Sequence, residues 1–292
     1  MDYLTLPTQS ADEANIRHIF TEPGIKLAVR TYGLNSKEVP LILLHGLQSH
    51  SGWFTQSSSY IRGLGYPVYA FDRFGSGLSD KPKASKDFAE SFLSSLDAVI
   101  KEAMARHNHS QVHLLGHCLG ALFASFYACQ RSKIIRSLLL ATPGVFTKTD
   151  LRIVDKLKIF FCAISGMNSD VSVGLKPEDF SELQEFIDFI RGDKLSLYKA
   201  PSGFFWGIHI MRKLVNKRIN HLTMPVFMAS AVDDPICDNS KNKQFFDKIP
   251  SKVKTCKTYS QARHILEFSS QRDVFFEDLR SWFSDIDRVR HA

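Results

Sequence analysis

Short apolar runs alternate along most of the chain with longer segments of helical periodicity. The short runs are rich in valine, isoleucine and leucine, which is typical of strands buried on both faces of a sheet. They lie at residues 39–44, 67–71, 112–115, 135–141, 224–229 and 253–259. Apolar residues spaced three and four apart predict helices at residues 52–62, 89–105, 119–130, 239–248 and 274–283. The alternation predicts an α/β fold with a mostly parallel central sheet and helices on both faces.

Two segments depart from this alternation. Near the N-terminus, residues 16–20 and 25–32 flank a Pro-Gly turn and predict a β-hairpin. From about residue 148 to residue 222 no strand pattern is evident, and apolar periodicity predicts helices at 151–167, at 177–191 and around Phe204–Trp206. We therefore predict a core formed by residues 1–147 and 223–292, with residues 148–222 inserted as a helical cap.

The composition fits a globular protein of this kind. Of the 292 residues, 44% are hydrophobic, which is ample for a core. There is no signal-peptide pattern and no apolar run of the roughly 20 residues that a membrane-spanning helix needs. Five scattered cysteines indicate neither a disulfide framework nor a zinc site, so we expect a cytoplasmic protein with no metal and no organic cofactor.

The chain carries a net charge of +7, with basic residues spread along its length. This distribution is typical of a solvated surface. It would also attract an acidic carrier protein or an anionic lipid surface. The sequence contains no nucleic-acid-binding motif, so we expect no nucleic-acid partner.

The stretch LLGHCLGALFA places Cys118 at a turn between a predicted strand and a predicted helix. Gly116 and Gly120 leave room for a tight turn around it. A side chain at such a turn is exposed at a helix N-terminus, where free N–H groups favour a thiolate and a developing oxyanion. We predict that Cys118 is a nucleophile, and the alternative is a cysteine buried in the core. The other four cysteines are predicted to pack in the fold: Cys129, Cys162, Cys237 and Cys256.

A nucleophile of this type needs a base, and the base needs an acid that orients it. In this architecture both follow the nucleophile along the chain. His264 follows the last predicted strand and is the predicted base. Asp234 lies where the strand at 224–229 leaves the sheet and is the predicted acid, with Asp233 and Asp150 as alternatives.

Other residues near these motifs receive structural or binding roles. The N–H groups of Leu47 and Leu119 are predicted to form an oxyanion hole, since Gly46 lets the chain turn tightly before Leu47. His45 and His117 are expected to hold loop geometry, and Asp72 and Arg73 to pair behind the sheet. Aromatic residues of the predicted cap either pack it or line an apolar acyl pocket: Phe160, Phe161, Phe204, Phe205 and Trp206.

Five stretches resemble the α/β-hydrolase superfamily, and within it the monoacylglycerol lipase and lysophospholipase group. They are HGLQSHSGW, FDRFGSGLSD, GHCLG, VDDPICD and ARHILEF, and the resemblance covers nearly the whole chain. It implies the α/β-hydrolase fold and a catalytic triad. The group has serine where this chain has Cys118, although a minority of α/β-hydrolases, including dienelactone hydrolase-like enzymes, use cysteine. A serine exchanged for cysteine by engineering is the other explanation.

Together, the residues and the resemblance predict an enzyme that hydrolyses an acyl ester, thioester or lactone with an apolar acyl part. The catalytic residues would be Cys118, His264 and Asp234. Acylation of a cysteine gives a thioester, which amines and thiols attack more readily than an oxyester. An acyltransferase or cyclase of a biosynthetic pathway is therefore an alternative, and a non-catalytic binding protein on a hydrolase scaffold is a second one.

Overall fold

The computed structural model describes residues 15–21, 24–81, 88–148, 153–165, 167 and 169–291. Within these ranges the strands are β1 (Asn15–Phe20), β2 (Lys26–Tyr32), β3 (Leu41–Leu44), β4 (Val68–Phe71), β5 (Val112–His117), β6 (Ile135–Ala141), β7 (Asp170–Ser172), β8 (Lys199–Pro201), β9 (Val226–Ala231) and β10 (Lys254–Tyr259). The α-helices are α1 (Thr55–Gly63), α2 (Phe88–His107), α3 (Leu119–Gln130), α4 (Ile153–Ser165), α5 (Gln184–Gly192), α6 (Ser202–Lys217), α7 (Asn239–Lys248) and α8 (Arg272–His291).

Eight strands form one sheet in the order β1-β2-β4-β3-β5-β6-β9-β10. The hairpin strand β2 pairs antiparallel with both β1 and β4, and the remaining neighbours are parallel. The predicted hairpin and mostly parallel sheet are therefore confirmed. β5 and β9 run two residues further than predicted, because Gly116–His117 and Ser230–Ala231 end the most apolar stretch while staying buried in the sheet.

Both faces of the sheet are covered by helices. Successive residues of β3 alternate between two apolar clusters, as the two-residue period of a strand requires. Ile42 and Leu44 pack with residues of α2, α3, α6 and α7 on one face. Leu41 and Leu43 pack with residues of α1, α5 and α8 on the other. Burial on both faces explains why the strands are continuous apolar runs in the sequence.

The segment between β6 and β9 contains α4, α5 and α6, in agreement with the three predicted helices. It also contains a small antiparallel pair, β7 and β8, which the sequence did not predict. Each of these strands has three residues, which is too short for an alternating pattern to stand out. α6 packs against the core, since the ring centroids of Phe204 on α6 and Phe88 on α2 lie 4.7 Å apart. The predicted boundary between the core, residues 1–147 and 223–292, and the cap, residues 148–222, stays a prediction.

The two longest helices, α2 and α8, have 20 residues each and extend beyond the predicted segments. α2 is longer only by Phe88 at its start and by two residues at its end, whereas α8 gains about two largely polar turns at its end, which apolar periodicity did not include. Both carry charged residues along their length. In the described part of the chain, no helix is long and apolar enough to cross a membrane.

The first turn of α3 lies so close to β3 that Gly120 has no room for a side chain. A Cβ at Gly120 would overlap the carbonyl oxygen of Leu44, so either β3 or α3 would have to move. We expect Gly120→Ala to lower the free energy of unfolding by about 1–3 kcal/mol, the usual range for overpacking. Gly63→Ala, where no atom lies within 4 Å of the added Cβ, should change it by less than about 1 kcal/mol. Denaturant unfolding measures both, and equal losses would contradict the close approach.

Candidate active site

Cys118 occupies the turn between β5 and α3 in an unusual backbone conformation. Its φ of 53° and ψ of −121° lie in a region that side-chain-bearing residues rarely adopt. Three hydrogen bonds hold the turn: Cys118 N donates to Ala141 O (3.0 Å), while Gly144 N (2.8 Å) and Ala121 N (3.0 Å) donate to Cys118 O. The predicted tight turn is therefore present. The side chain, however, is only 5% exposed, because neighbouring loops cover it.

An acid and a base meet beside this turn. Asp234 follows β9 and His264 follows β10, and His264 Nδ1 lies 2.9 Å from Asp234 Oδ2 with both side chains fully buried. The other carboxylate oxygen accepts hydrogen bonds from the N–H groups of Ile236 (2.8 Å) and Cys237 (3.0 Å). These three hydrogen bonds together fix the orientation of the Asp234 carboxylate toward the imidazole of His264.

The structure distinguishes among the three predicted acids. Asp233 is exposed, whereas Asp234 is buried and bonded to His264. Asp150 lies outside the described residues. His264 Nε2 is buried and has no hydrogen-bond partner among the described residues, so it is the nitrogen available for proton transfer.

Cys237 lies in the same cluster, which sequence reasoning missed. The sulfur atoms of Cys118 and Cys237 and a ring nitrogen of His264 all lie within 4.8 Å of one another. Cys237 Sγ also donates to the carbonyl oxygen of Thr142 at 3.2 Å. The available signal was its position three residues after Asp234, in the turn whose N–H groups hold the carboxylate.

The charges of the cluster stabilise one another. The hydrogen bond with Cys237 and the positive His264 lower the pKa of Cys118 well below its usual value, against the effect of burial. Burial alone would lower the pKa of His264, but Asp234 and Cys118 raise it to about 10. Burial likewise opposes ionisation of Asp234, yet His264 holds the pKa of that carboxyl below its usual value. These shifts favour a thiolate at Cys118, an imidazolium at His264 and a carboxylate at Asp234 together.

The loop after β3 lies against Cys118. A Cβ at Gly46 would lie 3.1 Å from the Cβ of Cys118, so only glycine permits this approach without displacement. Ser49 Oγ accepts a hydrogen bond from Gly46 N (2.9 Å) and holds the loop in place. Among the described residues, the N–H of Leu47 donates no hydrogen bond. Leu119, the second predicted oxyanion residue, is the first residue of α3, where N–H groups have no partner within the helix.

Arg73 supports this loop from behind. Its guanidinium donates to the carbonyl oxygens of Leu47 (2.7 Å) and Gly46 (3.3 Å). The predicted ion pair between Asp72 and Arg73 is wrong. Asp72 and Arg73 do not pair because consecutive residues at a strand end point to opposite faces of the sheet. Asp72 Oδ2 instead lies 3.7 Å from a guanidinium nitrogen of Arg30.

Two histidines beside the site are buried and bonded to loops. His45 Nε2 accepts a hydrogen bond from Arg73 N at 3.2 Å. His117 Nε2 lies 2.9 Å from Thr142 Oγ1 and 3.1 Å from the carbonyl oxygen of His264. Burial lowers the pKa of His45 well below its usual value and that of His117 to about 3. Both rings are therefore neutral and connect loops, as expected.

Asp193, which follows α5, fastens the inserted segment over the loop after β3. Its Oδ2 lies 3.0 Å from His50 Nε2 and accepts a hydrogen bond from Trp53 Nε1 at 2.7 Å. Four residues later, Leu197 N donates to Gln48 O at 2.8 Å. Burial opposes ionisation of Asp193, but the hydrogen bonds from His50 and Trp53 hold its pKa well below the usual range. Sequence reasoning did not single out this residue.

The five aromatic residues proposed for an acyl pocket occupy different environments. Phe204 is 8% exposed and lies under the guanidinium of Arg73, with 5.2 Å between the guanidinium carbon and the ring centroid. It is thus connected through Arg73 to the loop of Leu47. Phe205 packs on Phe204. The other three lie further out on the inserted segment, where Phe160 and Phe161 are more than half exposed and Trp206 contacts Phe160.

Comparison with known proteins identifies the family. The model of the serine aminopeptidase S33 family matches residues 36–271, a span that includes the turn of Cys118, Asp234 and His264. The chain belongs to this family. The match confirms the predicted membership of the α/β-hydrolase superfamily. It also confirms the prediction that the chain is a hydrolase.

Individual relatives agree with this assignment. Human monoglyceride lipase is 24% identical over 289 residues, covering 94% of this chain and 92% of the lipase. Among solved structures, a monoacylglycerol lipase from Paleococcus ferrophilus is 21% identical with a TM-score of 0.77, covering 94% of this chain and 99% of the other. A soluble variant of Saccharomyces cerevisiae monoglyceride lipase, with a substrate analogue, is 17% identical with a TM-score of 0.79 and covers 94% and 95% of the two chains.

The electrostatics of this S33-family site predict a thiolate at Cys118 over an unusually wide pH range. Because its pKa lies well below the usual value, the ultraviolet thiolate absorbance of Cys118 should persist below about pH 8.5, where an ordinary cysteine becomes protonated. Burial raises the pKa of Cys129 to about 12, so this cysteine stays a thiol in that range. Subtracting the spectrum of Cys118→Ser isolates the signal. His264→Gln should raise the apparent pKa of Cys118, since the positive ring that stabilises the thiolate is lost. Titration of Cys118 near pH 8.5, as for an ordinary cysteine, would contradict the ion pair.

The contacts of Asp193 predict a stability effect that depends on burial. Asp193→Ala leaves the buried N–H groups of His50 and Trp53 unpaired and should lower the free energy of unfolding by about 2–5 kcal/mol. Asp188→Ala is a matched control, because it removes a carboxylate 2.6 Å from Arg191 at an exposed position and should cost less than about 1 kcal/mol. Chemical denaturation compares the two, and similar losses would exclude an anchoring role for Asp193.

Proposed function

We propose that this chain hydrolyses an acyl ester or thioester by covalent catalysis at Cys118. A single observation carries the proposal: the thiol at the turn between β5 and α3 lies within 4.8 Å of an imidazole that is bonded to a buried carboxylate. A nucleophile, its base and the orienting acid thus stand in the order that covalent catalysis requires. A non-catalytic scaffold would have no need of the buried charges that this cluster retains.

In the first step, the thiolate of Cys118 attacks the carbonyl carbon of the substrate. The carbonyl oxygen becomes an oxyanion, which the N–H groups of Leu47 and Leu119 would bind. When the tetrahedral intermediate collapses, the bond to the leaving group breaks and His264 Nε2 donates its proton to that group. Asp234 stabilises the imidazolium before transfer and keeps the ring oriented after it.

In the second step, the neutral imidazole of His264 removes a proton from water through Nε2. The resulting hydroxide attacks the thioester carbon, and a second tetrahedral intermediate forms at the same N–H groups. Its collapse releases the acid and restores the thiolate of Cys118. Arg73 supports both steps indirectly, because it holds the carbonyl oxygens of Gly46 and Leu47.

We assign an apolar acyl chain to the substrate. The support comes from Phe204, whose ring lies under Arg73 and beside Phe88 where α6 meets the core. The proteins with which this chain aligns over most of its length are named monoglyceride lipases, so a glycerol ester is one substrate to test. The net charge of +7 would also favour an acyl group delivered by an acidic carrier protein.

A second function, acyl transfer or ring closure, is favoured by the burial of the cluster. Cys118 is 5% exposed and His264 is fully buried, so bulk water has little access to a thioester formed there. An amine, alcohol or thiol held in the site, or a hydroxyl on the acyl chain itself, would then compete with water. The same acyl-enzyme serves both functions, and only the acceptor differs.

Intact-mass spectrometry tests the common step. We expect a transient adduct of the acyl mass when the protein is mixed with p-nitrophenyl or N-acetylcysteamine esters of medium-chain acids, and none with Cys118→Ala. His264→Gln should slow adduct formation by about 10²–10⁴-fold, the usual contribution of a general acid–base group. Cys256→Ala, a partly exposed cysteine in β10, is the matched control and should acylate normally.

The fate of the adduct separates the two functions. Decay to free acid at a rate independent of added amine, alcohol or thiol indicates a hydrolase. Decay that accelerates with one acceptor and yields its acyl product indicates a transferase, and a lactone product from hydroxyacyl donors indicates a cyclase. Equal substrate turnover by the wild type and Cys118→Ala would refute both.

A further inference from the structure

The cluster around Cys118 has a property that acyl chemistry does not use. Two sulfur atoms and one imidazole, all buried, present donors within 4.8 Å of one another: those of Cys118, Cys237 and His264. Catalysis at Cys118 needs only one of the two sulfurs. Thiolates and imidazoles are also the ligands that Zn²⁺ prefers. The positions 118, 237 and 264 are far apart in sequence, so no zinc-binding spacing was visible there.

We propose that Cys118, Cys237 and His264 form a Zn²⁺-binding site that blocks the nucleophile. The donor set, two cysteines and one histidine with a fourth position left open, is one that zinc enzymes use. Bound Zn²⁺ would occupy the sulfur of Cys118 and the proton-transferring nitrogen of His264 together. The protein would then be unable to form an acyl adduct until the metal is removed.

The geometry of His264 supports this assignment independently of the sulfurs. Its Nδ1 is bonded to Asp234 at 2.9 Å, which leaves Nε2 as the coordinating nitrogen. That nitrogen is buried and has no hydrogen-bond partner among the described residues. A carboxylate behind a metal-binding imidazole is the usual arrangement at zinc sites, because it fixes the ring and increases its basicity.

The distances require only a small adjustment. With Zn–S bonds of about 2.3 Å and Zn–N bonds of about 2.0 Å, tetrahedral ligands lie about 3.5–3.8 Å apart. Donors within 4.8 Å of one another can reach this separation through side-chain movements of about 1 Å or less. Cys237 Sγ lies 3.9 Å from His264 Nδ1, the nitrogen bonded to Asp234, so coordination through Nε2 requires the Cys237 side chain to turn toward the other ring nitrogen.

The charge balance favours the same ion. Without metal, Cys118 and His264 Nε2 share one proton and Cys237 carries another, so with the Asp234 carboxylate the cluster sums to one negative charge wherever the shared proton lies. Binding of Zn²⁺ displaces both protons, giving two thiolates, a neutral imidazole, the carboxylate and the metal. The sum is again one negative charge, so the buried cluster gains no net charge. Affinity should therefore rise with pH, because two protons leave.

Direct binding measurements test the site without any substrate. Zn²⁺ is titrated into the reduced protein against a chromophoric chelator, and we expect one ion per chain with release of about two protons at pH 7. Cys237→Ser keeps the donor to Thr142 O but removes a thiolate ligand, and should weaken binding by about 10-fold or more. Cys256→Ser should bind as the wild type does.

Cd²⁺ provides a second readout that counts sulfurs. Its thiolate charge-transfer absorbance should be present in the wild type and fall to about half in Cys118→Ser or Cys237→Ser. Zn²⁺ should also slow alkylation of Cys118 by iodoacetamide in the wild type. Binding unchanged in Cys237→Ser, no Cd²⁺–thiolate band, or no binding to the wild type would each overturn the proposal. Because these assays use no acyl donor, they succeed or fail separately from the proposed catalysis.

Discussion

The close approach of β3, β5 and α3 around Cys118 is the constraint on which the rest of the site depends. The turn has a positive φ, which costs free energy at a residue with a side chain, and the surrounding packing must supply it. Gly120 lies against the carbonyl oxygen of Leu44, and Gly46 lies against Cys118 itself. Because parallel strands end at the same edge of the sheet, this compact turn also brings Cys118 to the edge from which Asp234 and His264 leave β9 and β10.

Burial gives the cluster its chemistry. A carboxylate, an imidazolium and a thiolate would each be costly alone in a medium of low polarity, so their ionisation depends on one another. Asp234 is held by two backbone N–H groups and in turn raises the pKa of His264, which lowers that of Cys118. The inserted segment maintains this low polarity, because Asp193 and Leu197 hold it against the loop after β3. The inserted segment therefore contributes to the reactivity of the cluster, because it helps to keep water away from the charges of Cys118, His264 and Asp234.

Much of this arrangement follows from the sequence. Strands buried on both faces and amphipathic helices leave patterns that fixed the α/β class, and GHCLG, VDDPICD and ARHILEF marked the turn and its partners. Three features could not be read in the same way. Cys237, Arg73 and Asp193 act through contacts with residues distant in the chain, and an apolar or charged residue in a loop has no local signature of its partner. Likewise, β7 and β8 pair over three residues only, so their existence depends on tertiary packing rather than on local pattern.

A cysteine at the turn after β5 bears on which protonation state of the site is favoured. A serine hydroxyl stays protonated beside an imidazole, whereas Cys237 and His264 shift the pKa of Cys118 well below its usual value, toward the thiolate. In the proposed mechanism, the proton needed by the leaving group would then already be on His264. Acylation removes the negative charge of Cys118, which is one of the two charges that raise the pKa of His264. The imidazolium then gives up its proton more readily and becomes the base that the second step requires. In the proposed mechanism, the covalent bond itself would thus convert His264 from acid to base.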